Sequence, residues 1–164
     1  MDNAHILVLG VGNVLMSDEG AGVHCIHRLS QSYGFSDNVR LLDGGTLGMR
    51  LLGPIGKASS LIVVDVALQG FDPGVISRLT LDDVRSQNLE KHSMHEVSFS
   101  ETLFMAKAMD LLPPTVIIAV EPQDITTIKT SLTSQVAGKL DDLCLRVLEE
   151  IKSAGGTFTR KQTE

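Results

Sequence analysis

At 164 residues the chain has the length of one compact domain, and 43% apolar residues are enough for a single core built around a sheet. Aromatics make up only 4% and Trp is absent, so Leu, Val, Ile, Ala and Met must fill that core, which suits a parallel sheet covered by helices. A formal charge of −6 with no long run of Lys or Arg argues against a nucleic-acid partner, and no stretch approaches the roughly 20 apolar residues of a membrane span.

In chain order, Ile6 to Gly10 is a short apolar run closed by a glycine turn and reads as a buried first strand. A loop from Val11 to Asp18 leads into a helix over 20–33. Val23, Ile26 and Leu29 lie at helical spacing there, with Ser17 or Asp18 available as N-cap and Gly34 as the stop. Val39 to Asp43 is a second strand entering Gly44-Gly45-Thr46, followed by a short helix that ends before Pro54. Leu61 to Val66 is the most apolar strand of the chain and is expected at the centre of the sheet. The β-α-β-α-β alternation predicts parallel strands with right-handed crossovers.

After Pro73-Gly74 the pattern changes. Val75 to Leu81 alternates and reads as an antiparallel edge strand, and the polar residues 82–92 read as a loop. Phe99, Leu103, Ala106 and Met109 form a helical stripe, and Thr115 to Val120 a last buried strand. Val136 to Ile151 then reads as one long amphipathic helix closed by Gly155-Gly156. The expected architecture is an α/β domain over 1–164, ordered from about 4 to 154 with a frayed tail. It is a three-layer α/β/α sandwich whose mostly parallel, twisted sheet has about five strands, one of them an antiparallel edge strand.

Cys25 and Cys144 stand far apart in helical patterns, the usage of reduced, packed thiols rather than of a disulfide framework or zinc ribbon. The first five residues lack the basic segment of a signal peptide, so the expected location is the cytoplasm.

Open α/β sheets bind ligands beyond the carboxyl ends of their strands, where strand order reverses. Glu19 follows strand one by a loop, Asp43 ends strand two and Asp65 ends strand three, so the three carboxylates share a crevice if strand one lies between the others. Glu19 and Asp18 are also what a helix start favours, because its free N–H groups attract carboxylates. Asp65 interrupts a buried strand, and a buried carboxylate requires a partner or a metal. His95 lies within the first of two successive S-x-x-E patterns, Ser93 to Glu96 and Ser98 to Glu101, which puts it in the first turn of the following helix or just ahead of it. A helix start there keeps an imidazole neutral and able to bind metal. Glu19, Asp65 and His95 would form a carboxylate–imidazole site with open positions, suited to nickel, zinc, iron or manganese. The loop Gly10-Val11-Gly12-Asn13-Val14-Leu15 resembles a dinucleotide fingerprint only in part, since Leu15 stands where Gly or Ala is wanted.

Taken in order, Leu7 to Asn13, Ser17-Asp18-Glu19-Gly20, Asp43-Gly44-Gly45-Thr46, Val64-Asp65, Ser93-Met94-His95-Glu96 and Val120-Glu121-Pro122 resemble the hydrogenase maturation endopeptidases. The resemblance implies an enzyme that removes a short C-terminal peptide from the large subunit of a nickel–iron hydrogenase after nickel insertion. It maps the metal-contacting residues onto Glu19, Asp65 and His95, with the nickel contributed by the precursor. Two mechanisms follow: the metal polarises the scissile carbonyl or a water, or Asp43 acts as general base in the manner of an aspartic peptidase. The competing expectation is a nickel-binding, chaperone-like module that holds the precursor without cutting it. A monomer is expected.

Overall fold

The structure, a computed structural model, describes residues 5–87 and 99–163. Seven strands are formed: β1 Ile6–Val11, β2 Tyr33–Phe35, β3 Val39–Gly45, β4 Ser60–Val66, β5 Ile76–Leu79, β6 Thr115–Val120 and β7 Phe158–Arg160. The helices are α1 Ala21–Ser32, α2 Leu52–Lys57, α3 Leu81–Ser86, α4 Phe99–Ala108, α5 Ser134–Ala137 and α6 Leu140–Ser153, with single 3-10 turns at Ser17–Gly20 and Gly48–Leu51.

The main sheet runs β3-β1-β4-β6-β5, parallel throughout except for β5, which pairs antiparallel with β6. The expected mostly parallel five-strand sheet with one antiparallel edge is what forms. Successive strand residues point to opposite faces, and the core divides accordingly. Ile6, Val8, Ile62, Val64 and Ile118 pack against α1 and α6. Leu7, Leu9, Leu61, Val63 and Ile117 pack against α2, α3 and α4. This division is the physical content of the three layers.

The β1–α1–β3 unit winds to one side of β1, and the chain then crosses to β4 on the other side. The reversal therefore falls between the carboxyl ends of β1 and β4, where a ligand crevice opens in such sheets. Strand one does lie between strands two and three of the sequence reading.

Three local expectations change. The edge strand expected to reach Leu81 ends at Leu79, and Leu81 joins residues 82–86, expected as loop, in α3, because Thr80 and Asp83 make a reciprocal capping box: the Asp83 N–H donates to Thr80 Oγ1 and the Thr80 N–H to Asp83 Oδ2. The final amphipathic stretch is broken at 138–139 into α5 and α6. The tail expected to fray instead turns back as β7 against β2, where Tyr33 and Phe158 meet edge to face with centroids 5.7 Å apart. Those aromatics bury a seam that residue-by-residue patterning does not reveal.

Candidate active site

The site is built from the loop that follows β1. A Cβ on Gly12 would stand 1.9 Å from the Glu19 carbonyl oxygen, and Gly12 has φ +127°, so only glycine lets the loop fold back onto its own end. Ser17 is held at φ +53° at the start of the 3-10 turn, a conformation that costs a non-glycine residue free energy and that surrounding bonds must enforce. Its N–H donates to the Lys129 carbonyl at 2.8 Å and its hydroxyl to the Ser131 carbonyl at 3.3 Å.

Asp18 has no exposed surface, and its carboxylate is saturated by the 121–133 loop. It accepts the N–H groups of Gln123 (2.9 Å), Asp124 (3.0 Å) and Thr133 (2.8 Å), together with the Thr133 hydroxyl. The N-cap role expected for Ser17 or Asp18 is not taken: Gly20 occupies the N-cap of α1 and no side chain caps it. Asp18 is an anchor that clamps the turn to the far end of the sheet, and Glu19 is the next residue.

Asp65 is the penultimate residue of β4, in register with Ala119 of β6, and is partly buried. By strand alternation it points, with Leu61 and Val63, toward the α2 and α4 face. Burial pushes its pKa up to about 7, the Val66 N–H donated to its Oδ1 at 2.7 Å opposes this, and the negative charge of Glu19 adds to the rise. The charge of Glu19, 46 positions away in the chain, acts on Asp65, and Asp65 stands at the carboxyl end of β4 where strand order reverses. Two like-charged acids that act on each other, one of them short of solvent, are suited to a cation. Among the described residues no three His, Cys, Asp or Glu side chains converge as a metal site. His95, the third ligand read from the sequence, lies outside the described residues.

Asp43 is placed differently. It stands opposite Gly10 on β3, faces α1, and its Oδ2 lies 2.8 Å from His27 Nε2, with both side chains about half exposed. It therefore belongs to the same edge of the sheet as Asp65 but to the opposite face. One turn earlier on α1, His24 has its pKa lowered by burial first and by His27 second.

Glu121 was read only as part of a motif, yet it is the best-organised carboxylate after Asp18. It is 4% exposed at the end of β6 and accepts the N–H groups of Gln69 (2.8 Å) and Gly70 (3.2 Å). It thereby holds the loop that leaves β4 just beyond Asp65. The sequence signal was available: an acid directly after a run of buried apolar residues must find donors.

The chain is similar in sequence and in fold to proteins of one family. The family model described as HycI, hydrogenase maturation protease, matches residues 23–150. The hydrogenase expression/formation protein HupD of Rhodobacter capsulatus is 36% identical over 160 residues, covering 96% of this chain and 76% of that protein. The hydrogenase 2 maturation protease of Escherichia coli K12 is 32% identical over 152 residues, covering 92% of each. Among solved structures, the hydrogenase maturating endopeptidase HybD from E. coli superposes with a TM-score of 0.87 at 30% identity, covering 96% of this chain and 98% of that one.

Proposed function

The chain belongs to the hydrogenase maturation protease family, and we propose that it removes the C-terminal peptide of a nickel–iron hydrogenase large-subunit precursor once nickel has been inserted. The observation that carries this reading is the partly buried Asp65 at the carboxyl end of β4, beside the strand-order reversal, in a chain whose sequence and fold match that family. Membership of the family makes the protein a hydrolase.

In this reading the nickel arrives as part of the substrate. Glu19, Asp65 and His95 contact it and leave its remaining positions to the precursor's own ligands, so a precursor without metal is not held in register for cleavage. Asp65 must lose its proton to engage a cation, and the cation offsets the charge it then shares with Glu19. The candidate general base is Asp43, whose carboxylate is oriented by His27 and is open to water at the same edge of the sheet as Asp65 but on its other face, so the precursor must reach across the end of β1 to meet it. The protein acts as a monomer in the cytoplasm.

The test is intact-mass analysis of a cognate large-subunit precursor incubated with this protein, with and without prior nickel loading. Loss of a C-terminal fragment only from the nickel-loaded precursor is expected. Absence of cleavage from both, with a stable complex between the two proteins, would replace this reading with the chaperone-like one. Glu19→Gln, Asp65→Asn and His95→Ala should each weaken nickel-dependent binding, whereas Asp43→Asn should abolish cleavage and spare binding. Full activity of the Asp43→Asn protein would remove that carboxylate from the mechanism.

A further inference from the structure

We propose that Cys25 and Cys144 form a reversible dithiol–disulfide couple, oxidised by a small peroxide, that braces α1 against α6. The two sulfurs stand 3.5 Å apart in the interface between these helices, although 119 positions separate the residues in the chain. A disulfide needs about 2 Å between sulfurs, so bond formation takes a closing of roughly 1.5 Å by side-chain rotation and movement of the helices. Among the described residues neither sulfur has another polar side chain as partner, and beyond Cys25 Sγ the Cys144 thiol reaches the Cys25 carbonyl oxygen, at 3.8 Å.

The pair is asymmetric in a way that suits thiol chemistry. Cys25 is fully sealed, whereas Cys144 retains 5% exposure. The contact between the two sulfurs holds Cys144 below the usual thiol range, and the same contact together with burial raises Cys25 well above it. Arg28, which joins Asp141 across the rim of the α1–α6 contact, favours the thiolate form of both. Cys144 is therefore the nucleophile, being the sulfur with the greater thiolate character and an edge toward solvent.

The chemistry balances with peroxide as oxidant. The Cys144 thiolate attacks one peroxide oxygen, expels hydroxide and becomes a sulfenic acid. The Cys25 sulfur then attacks the Cys144 sulfur, and the sulfenic oxygen leaves as water with the Cys25 proton. The two thiols lose two electrons and the peroxide gains them; a dithiol reductant reverses the reaction. Because α1 begins two residues after Glu19, the bond would brace the helix that follows the first residue of the candidate site.

The experiment treats the full chain with hydrogen peroxide, alkylates remaining thiols in denaturant and maps the peptides by mass. The expected product is a Cys25–Cys144 cross-linked peptide pair lighter by two hydrogens and lost on reduction, with Tm raised on the order of 5–10 °C. The chain has only two cysteines, so any intramolecular disulfide is this one. In Cys144→Ser, Cys25 should stay fully alkylatable at the same dose. Met109, 53% exposed, reports that oxidant was delivered. Two alkylatable cysteines in a wild-type protein whose Met109 has become sulfoxide would overturn the proposal, as would a disulfide found only between two chains.

Discussion

Replacing Asp18 should damage the protein more than replacing any of the acids proposed to meet substrate. Its carboxylate collects three main-chain N–H groups and one hydroxyl in a site without solvent. In Asp18→Ala the donors of Gln123, Asp124 and Thr133 lose their acceptor together. A buried donor left unpaired costs about 1–3 kcal/mol, so three, with partial relaxation and some water entry, should cost about 4 kcal/mol. That is a large share of the roughly 5–15 kcal/mol by which domains of this kind are stable. Asp18→Asn keeps the shape but turns an NH2 toward a main-chain donor and removes the charge, and should cost about 2 kcal/mol. Equilibrium urea unfolding followed by circular dichroism measures both. An Asp18→Ala protein within about 1 kcal/mol of wild type would refute the idea that this carboxylate clamps the turn before Glu19 to the 121–133 loop. Because Ser17 is held at φ +53° by bonds to the same loop, the variant that survives folding should also lose affinity for nickel-loaded precursor.

Gly22→Ala would put a Cβ 2.1 Å from the Val64 carbonyl oxygen and 2.8 Å from that of Val11, lifting α1 off the sheet. A loss of about 3 kcal/mol, read as a fall in Tm of roughly 6–12 °C, is expected, and an unchanged Tm would show that the helix start can shift freely. Asp65→Asn should stabilise the metal-free protein above neutrality. The carboxyl pKa is about 7 in the folded chain against 3.8 unfolded, so the wild type is at full stability below pH 3.8 and loses it as pH rises through 7. Three pKa units set a ceiling of about 4 kcal/mol. Partial solvent contact reduces this to about 2 kcal/mol at pH 8; a variant no more stable than wild type at pH 8 would mean the acid is ionised at little cost. Glu121→Ala should cost about 2 kcal/mol by stranding the N–H groups of Gln69 and Gly70, with faster hydrogen exchange at those two amides as the specific readout. Unchanged exchange there would show that the carboxylate does not hold the loop.

Much of this molecule was legible residue by residue. Apolar runs as short as Ile6 to Gly10 and Leu61 to Val66 announce buried strands, because a strand covered on both faces has no polar side to show. Val23, Ile26 and Leu29 at helical spacing mark α1 for the same reason. Glu19 and Asp65 could be singled out because a carboxylate beside a strand terminus or within an apolar run is costly without a partner. The capping box at Thr80 and Asp83 was equally local, yet the polar residues around it were read as loop; a helix of six residues has too little apolar periodicity to stand out.

What only the tertiary structure decided are the pairings between residues far apart in the chain. The anchoring of Asp18 joins positions separated by 105 to 115 residues. The docking of β7 on β2 and the meeting of Cys25 with Cys144 span similar distances, and none leaves a periodic trace in either partner. The division of the acids follows from the same cause. Asp43 and Asp65 both end strands, but the order β3-β1-β4 and the alternation along each strand send one toward His27 on α1 and the other toward the α2 and α4 face. Composition and periodicity report how each residue meets water or core, which is a local property. Partners are chosen by which chain segments the closed sheet brings within a few ångströms, and that is settled only when the whole core packs.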